Sequence, residues 1–273
     1  MRTIVLIMLL LTATLAFATD LDVMTFNIRY GTATDGVNKW SMRRDYVLAS
    51  ITTAGPDLLG TQECLAFQRD YLADTLQEYG VVATGRDDGD EGGEMCACFY
   101  RLDRFTLEDE GTFWLSETPD VVGSSGWDAA LPRIATWLRL KDLRSDNEIL
   151  WLNTHFDHVG EQARLESLKL IESWLEEHGG DAILVVTGDF NLPAKPGLLS
   201  GDVLQDTWTA VHGDTEPEEG TFNGFGLHPR PGRIDWVLVS KGMQVKDCRV
   251  DRTQYDGSWP SDHCPVIAVV DLD

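Results

Sequence analysis

The sequence predicts one α/β domain in which strands dominate, and three observations carry that expectation. Eight short apolar runs rich in β-branched and aromatic residues are spaced along the chain. Two longer segments place apolar residues at helical spacing. No repeat, low-complexity linker or boundary divides the chain into two cores.

The elements follow in order. Met1-Arg2, the uncharged run Thr3 to Phe17 and the small residues around Ala16-Phe17-Ala18 form a secretory signal, cut after Ala18. That run is short for a membrane span, and no Cys follows it to carry a lipid. A secreted or periplasmic protein with no stable membrane anchor is expected, residues 19–273 forming a single domain and a monomer. Leu21–Ile28 reads as the first strand. Asn38 to Ala54 reads as a helix with Met42, Tyr46, Val47 and Ile51 on one side. Leu58–Thr61 and Met95–Tyr100 are short apolar strands, and Asp87–Gly93 between them reads as a surface loop. Arg133–Leu140 and Ile149–Asn153 are two more strands. Glu161 to Glu177 is the second helix, with Leu165, Leu168, Ile171, Trp174 and Leu175 on one side and Gly179-Gly180 as its stop. Ala182–Val186, Ile234–Ser240 and Pro265–Val270 complete the strands, with a surface loop at His212–Gly220.

Composition narrows the function. The 22 basic and 45 acidic residues give a net charge of −23, which argues against a broad electrostatic grip on nucleic acid. A small phosphorylated substrate held locally by a metal and a few Arg is compatible with it. A solvated acidic surface suited to a salty medium accounts for the charge equally well. The five Cys are odd in number and match no zinc spacing, and Cys96 and Cys98 share one strand face, poor disulfide geometry. They read mostly as small buried residues.

Several apolar strands end in polar residues. Ala182 to Val186 gives way to Thr187-Gly188-Asp189-Phe190-Asn191. Asp189 and Asn191 fall two apart, so a continuing strand would point them to one side; both are also common turn formers. Ile149 to Asn153 runs into Thr154-His155-Phe156-Asp157-His158, and His155 and Asp157 alternate in the same way. Thr25-Phe26-Asn27, Gly60-Thr61-Gln62-Glu63, Arg233-Ile234-Asp235-Trp236 and Trp259-Pro260-Ser261-Asp262-His263 repeat the pattern. One polar strand end is a turn. Six that carry Asn, Asp, Glu or His describe loops converging on one site at a sheet edge.

The residue types suit metal-assisted phosphoryl chemistry. Mg²⁺ takes hard oxygen ligands, often one or two carboxylates, and Glu63, Asp262 and Asn27 can supply them. Attack on phosphorus needs an activated water and charge stabilisation at the phosphoryl oxygens. His155 and His263 can supply that charge as imidazolium, with Asp235 as an orienting partner. Taken singly, each of these residues is as readily a satisfied core His or an ordinary loop acid.

Together, Thr25-Phe26-Asn27-Ile28-Arg29, Gln62-Glu63, Asn153-Thr154-His155, Gly188-Asp189-Phe190-Asn191, Arg233-Ile234-Asp235-Trp236 and Ser261-Asp262-His263 resemble the endonuclease/exonuclease/phosphatase superfamily, the deoxyribonuclease I-like proteins, in an exported bacterial-type form. The motifs stand in the family's order and span the chain from Leu21 to the last strand. The resemblance implies a four-layer sandwich, two packed, mainly antiparallel β-sheets flanked by helices. It also implies Mg²⁺- or Mn²⁺-dependent hydrolysis of phosphate esters. By position it places Asn27 and Glu63 at the metal end with Asp262 helping. Asp189 orients or deprotonates water, Asn191 donates to phosphate or water, and His155 and His263 are the two catalytic His, the second held by Asp235. Some members carry an acid where this chain has Arg29, which implies a one-metal site. Glu94 is the counterpart of a Glu that pairs with the first His. Glu94, Arg133 and Trp114 are further candidates for substrate binding, and Asp157 and His158 serve there as substrate contacts or supports; Trp114, Trp127 and Trp137 can line a cleft by stacking, with core packing the alternative for Trp114 and Trp137.

The expectation is therefore a secreted, metal-dependent phosphodiesterase or phosphatase acting on a small phosphorylated substrate by water attack on phosphorus. An extracellular nuclease, with nucleic acid as partner, is the competing reading. A catalytically inactive binding module on the same fold is a rival of another class.

Overall fold

Runs of apolar residues too short for helices pair into sheets, and here they make two. The computed structural model describes residues 19–272, so the signal expected over residues 1–18 lies outside the described residues. In chain order the elements are β1 (Leu21–Asn27), α1 (Trp40–Ala54), β2 (Leu58–Cys64), α2 (Ala66–Thr75), β3 (Tyr79–Val82), β4 (Met95–Arg101), β5 (Phe105–Trp114), β6 (Ile134–Asp142), β7 (Glu148–His155), α3 (Glu161–His178), β8 (Ile183–Asp189), β9 (Leu204–Asp206), α4 (Thr207–His212), β10 (Asp235–Ser240), β11 (Val245–Val250) and β12 (Val266–Val270). Six strands form one sheet in the order β11-β12-β1-β2-β4-β3, and six form the other in the order β5-β6-β7-β8-β10-β9.

The two sheets share one plan. The central pair of each is parallel, β1 with β2 and β7 with β8, and every other pairing is antiparallel. Parallel neighbours need a crossover, and α1 and α3 supply the two crossovers. The expected mainly antiparallel sandwich is therefore present, built around two parallel cores.

Three layers of apolar contact hold four layers of structure. Leu21, Val23, Leu58, Leu138, Trp151, Val185 and Val237 meet between the sheets. Val47, Ile51 and Leu72 of α1 and α2 cover the outer face of the first sheet, against Met24, Phe26 and Leu59. Leu168, Ile171 and Leu175 of α3 cover the outer face of the second, against Leu150, Leu152 and Val186. Trp151 is fully buried at the centre and donates from Nε1 to Thr187 Oγ1 at 3.0 Å. Its replacement by Ala should cost about 3–5 kcal/mol.

A polar clamp joins the sheets beneath the site. Gln62 Nε2 donates to Asn153 Oδ1 at 2.7 Å and to Thr25 Oγ1 at 3.0 Å. Asn153 Nδ2 donates to the carbonyls of Thr61 and Ala97. Gly60 lets the sheets approach, because a Cβ there would collide with Thr187 Oγ1 and Asn153 Oδ1.

The helix faces need correction. Met42 is 60 % exposed and Tyr46 half-buried; Val47 and Ile51 are buried as expected, joined by Trp40, Arg43 and Ser50. Arg43 is inside because its guanidinium bonds the carbonyls of Ile28, Arg29, Asn38 and Pro260. That tie joins the turn after β1 to the loop before β12. The helix begins at Trp40 rather than Asn38, which closes a short 3₁₀ turn. On α3, Leu165 is partly exposed and Trp174 half-buried, while Leu168, Ile171 and Leu175 are buried as expected. All five Cys are free and buried.

Candidate active site

Strand register brings the polar ends together. In the parallel pair β7–β8, His155 lies opposite Asp189. In the antiparallel pair β8–β10, Asp189 lies opposite Asp235. In the other sheet, Asn27 ends β1 opposite Gln62 of β2. A register shift between Thr61 and Cys64 and a left-handed φ of 55° at Glu63 turn the Glu63 side chain outward at the end of β2. These ends open on a cavity of about 510 Å³, lined by Glu63, Asp262, Asp189, Asn191, His155 and His263 among others.

Asp189 and Asn191 form a turn and both line the cavity, by a geometry other than a continuing strand. The strand stops at Asp189, and Asn191 sits at φ 46° in a left-handed turn. The Asn191 backbone N–H donates to Asp189 Oδ1 at 2.9 Å, which is ordinary Asx-turn chemistry. Asp189 Oδ2 is left facing the cluster, 3.0 Å from Asn27 Nδ2, 3.5 Å from His155 Nε2 and 3.7 Å from His263 Nε2. Burial, reinforced by Asp235, pushes the Asp189 carboxyl up to about 7.

The two His differ in charge. His263 donates through Nδ1 to Asp235 Oδ2 at 2.9 Å. Burial pulls its pKa down, but Asp235 and Asp189 reverse that and hold it well above the ordinary imidazole value. For His155, burial and the nearby Arg133 and Arg86 act in one direction, and its pKa falls well below the ordinary value. Both rings were expected as imidazolium; the surroundings of His155 oppose its charged form, and those of His263 favour it. Asn191 Nδ2 donates to both His155 Nε2 and the Phe156 carbonyl, each at 3.1 Å. Nε2 then accepts from Asn191, and Nδ1 faces Glu94 at 3.7 Å, beyond hydrogen-bond reach.

At the metal end, Glu63 and Asp262 line the cavity with carboxylate oxygens, the hard donors that Mg²⁺ or Mn²⁺ prefers. Asn27 is displaced from the role of ligand. It is fully buried, its Nδ2 donates to Glu63 Oε1 at 3.1 Å and to Asp189 Oδ2, and its Oδ1 accepts from the Arg29 N–H at 2.9 Å. It aims two carboxylates instead of offering an oxygen. Asp189, Asp235 and His263 also bring ligand atoms within 4.8 Å of one another. There the Asp235–His263 hydrogen bond already occupies a pair of them, and Glu63 and Asp262 likewise accept hydrogen bonds, from Asn27, the Tyr30 N–H and Ser261.

The remaining candidates divide. Glu94, Arg133 and His158 line the cavity. Glu94 takes a two-pronged pair from Arg86 at 2.9 and 3.0 Å, so Arg86, not His155, is its main partner. Of the two roles expected for Asp157, its contacts fit the support: it is buried, accepts from the backbone of Val159 and Gly160, and lies 3.4 Å from Arg133 Nε. Trp114 fits its core alternative. It is buried and spends its Nε1–H on the Arg86 carbonyl at 2.7 Å, away from the cavity. Trp137 packs on Trp174 of α3, and Trp127 is not part of the cavity wall. Sequence reasoning missed Arg86, Phe222 and Arg230. Phe222 and Arg230 line the cavity from a loop without apolar rhythm, so nothing local marked them. Arg86 precedes an acidic loop, and only its pair with Glu94 reveals it.

The Endonuclease/Exonuclease/phosphatase family profile matches residues 24–263. Among solved structures, an endonuclease/exonuclease/phosphatase from Bacteroides vulgatus is 37% identical, with 93% of this chain and 100% of that chain covered and a TM-score of 0.85. A family protein from Bacteroides thetaiotaomicron is 34% identical, with 94% and 99% covered and a TM-score of 0.86. A mannosyl-6-phosphatase from the same organism is 34% identical, with 92% and 100% covered and a TM-score of 0.83.

Proposed function

The chain belongs to the endonuclease/exonuclease/phosphatase family, and from that premise we propose that it is a divalent-metal-dependent hydrolase of small phosphate esters, a sugar phosphate first among them. The observation that carries this reading is the convergence of Glu63, Asp262, Asp189 and His263 on one cavity of about 510 Å³, within the usual range for a small ligand. The likeness to a mannosyl-6-phosphatase supports the choice of a sugar phosphate. The net charge of −23 disfavours an extended polyanion.

Each residue then has a task. Glu63 and Asp262 would hold Mg²⁺ or Mn²⁺, which supplies Lewis-acid polarisation of a phosphoryl oxygen when bound. Asp189 orients the attacking water and takes its proton, a task suited to a carboxyl raised to about 7. His263, charged and held by Asp235, stabilises negative charge at the phosphoryl oxygens. Asn191 fixes the neutral His155 beside them. Asn27 keeps the Glu63 and Asp189 carboxylates at their separation.

The domain is proposed to act as a secreted or periplasmic monomer, with the signal expected from the sequence over residues 1–18 as the motive. Among the described residues, no helix is long and apolar enough to cross a membrane.

The test is turnover by the purified protein, with Mg²⁺ or Mn²⁺, on hexose 6-phosphates, inositol phosphates, a phosphodiester, and duplex and single-stranded DNA. Phosphate release from a small ester, abolished by excess chelator, is expected. Preferred cleavage of DNA would replace this reading by a nuclease. Ligand binding without turnover would leave an inactive binding module, and full activity in chelator would remove the metal.

A further inference from the structure

Arg29 has no assigned task, yet it lines the same cavity as Asp189 and His263. We propose that Arg29 grips a non-bridging oxygen of the substrate phosphate and thereby selects monoesters over diesters. This rests on the reading of the site as a phosphoesterase.

The geometry is that of a fixed fork. Asp35 takes Nε and Nη2 of the guanidinium at 3.1 Å each, a bidentate pair that sets its plane. The group also lies over the Tyr30 ring, 4.7 Å from its centre. That leaves Nη1, whose nearest acidic oxygen is Glu63 Oε2 at 3.9 Å, beyond hydrogen-bond reach. Nε lies 3.6 Å from Asp262 Oδ2, its hydrogen going to Asp35. The N–H groups of Nη1 therefore lie on the Glu63 side of the guanidinium, and the Asp262 carboxylate is nearest Nε.

The backbone of Arg29 is held just as firmly. Its φ of 57° is a left-handed conformation that a non-glycine residue adopts only under constraint. Three bonds supply the constraint. The Arg29 N–H donates to Asn27 Oδ1 at 2.9 Å, and its carbonyl accepts from Arg43 Nη2 at 2.7 Å and Gln68 Nε2 at 3.0 Å. A surface Arg that served only solubility would not be fixed at both ends.

Charge gives the selectivity. A phosphate monoester near neutral pH carries roughly −1.5 to −2, as a phosphorylated side chain does. A diester carries one negative charge and offers one fewer unesterified oxygen. A guanidinium that is always protonated therefore favours the monoester, and does so by planar donors that Lys lacks. A plainer role is available as well: Arg29 could brace Glu63 and Asp262 for the metal. The two roles differ in what happens to metal affinity. A positive charge 3.6–3.9 Å from two ligand carboxylates opposes a cation there, so removing a gripping Arg29 leaves metal binding intact or tighter. Removing a brace weakens it.

The experiment uses the full chain with Mn²⁺. Wild type, Arg29→Lys and Arg29→Gln are assayed on p-nitrophenyl phosphate and bis(p-nitrophenyl) phosphate, and calorimetry measures the binding of inorganic phosphate and of Mn²⁺ alone. Both variants should weaken phosphate binding and raise the monoester KM by about tenfold or more, with the diester changed less than about threefold. Mn²⁺ affinity should hold or rise. Lost Mn²⁺ affinity with phosphate binding unaltered would make Arg29 a brace and overturn the proposal, as would equal losses on both esters. If Arg29→Gln lowers the melting temperature enough to unfold, Asp35→Asn keeps the guanidinium but frees it, and should weaken phosphate binding in the same direction; unchanged phosphate binding in both Asp35→Asn and Arg29→Lys would overturn the proposal. Failure of wild type to turn over either ester or to bind phosphate would instead remove the phosphoesterase reading itself, and this proposal with it.

Discussion

His155 and His263 reach one cavity from opposite sheets. Both are about 95 % buried, at 6 % and 5 % exposed, and both face Asp189 Oδ2 at 3.5 and 3.7 Å. Burial alone would make both neutral. They differ because His263 is also hydrogen-bonded to Asp235, whereas His155 is flanked by Arg133 and Arg86, with Glu94 already paired to Arg86. The lesson is that a carboxylate near an imidazole does not set its charge when an Arg has claimed that carboxylate. The same motif letters, His beside an acid, thus yield one cation and one neutral ring.

The largest effect should come from the residue the two rings share. Asp189→Asn keeps an acceptor for the Asn191 N–H, so the turn and the melting temperature should change little. Turnover should fall by ~10³-fold, within the range for a lost general base. Near wild-type turnover in the folded variant would return this stretch to turn chemistry alone.

Next, the rings themselves should separate. His263→Ala removes a charge and should lower kcat by on the order of 10²–10³-fold. His155→Ala removes a neutral positioned ring, and a loss of about 10²-fold or less is expected. Equal losses, or a larger one for His155, would break the comparison. His178 is the control: it is exposed at the end of α3 and stacks on Trp174, so His178→Ala should leave kcat within about twofold.

Stability against pH sharpens the contrast in the metal-free protein. The Asp189 pKa is raised, so its protonated form contributes stability that is full below the ordinary carboxylate pKa of about 4 and is lost as pH rises toward about 7. His263 is also raised, so its contribution is full below the ordinary imidazole pKa of about 6.5 and lost only well above it. His155 is lowered, so its contribution is present above about 6.5 and lost as pH falls below that value. Melting temperatures from pH 4 to 8 should show Asp189→Asn losing less stability than wild type as pH rises from 4 to 7. Parallel curves would contradict the raised Asp189 pKa.

What could be seen in the sequence follows from where each element sits. The eight expected strands are the four interior strands of each sheet, paired on both sides and mostly buried, so they appear as apolar runs. The four that went unseen, β3, β5, β9 and β11, are the four sheet edges. Edge strands tolerate charge, and Glu108-Asp109-Glu110 in β5 and Lys246-Asp247 in β11 erase any apolar run. In the site, residues at strand ends were legible because polar residues interrupt apolar ones. Beyond the strand end, alternation failed. Asp157 was assigned to the cavity by period two, but the strand stops at His155 and the chain turns Asp157 toward Arg133. Asn27 was legible as a site residue, but only the structure shows that its amide hydrogens go to the Glu63 and Asp189 carboxylates.

The charge difference between the two rings can be read directly. Imidazole ¹⁵N and ¹³C shifts of His155 and His263, assigned in the metal-free full-length protein with His155→Ala and His263→Ala, are followed from pH 5.5 to 8. The account predicts an imidazolium at His263 and a neutral ring protonated on Nδ1 at His155 throughout that range. Two rings that titrate together near the ordinary value of about 6.5 would contradict it.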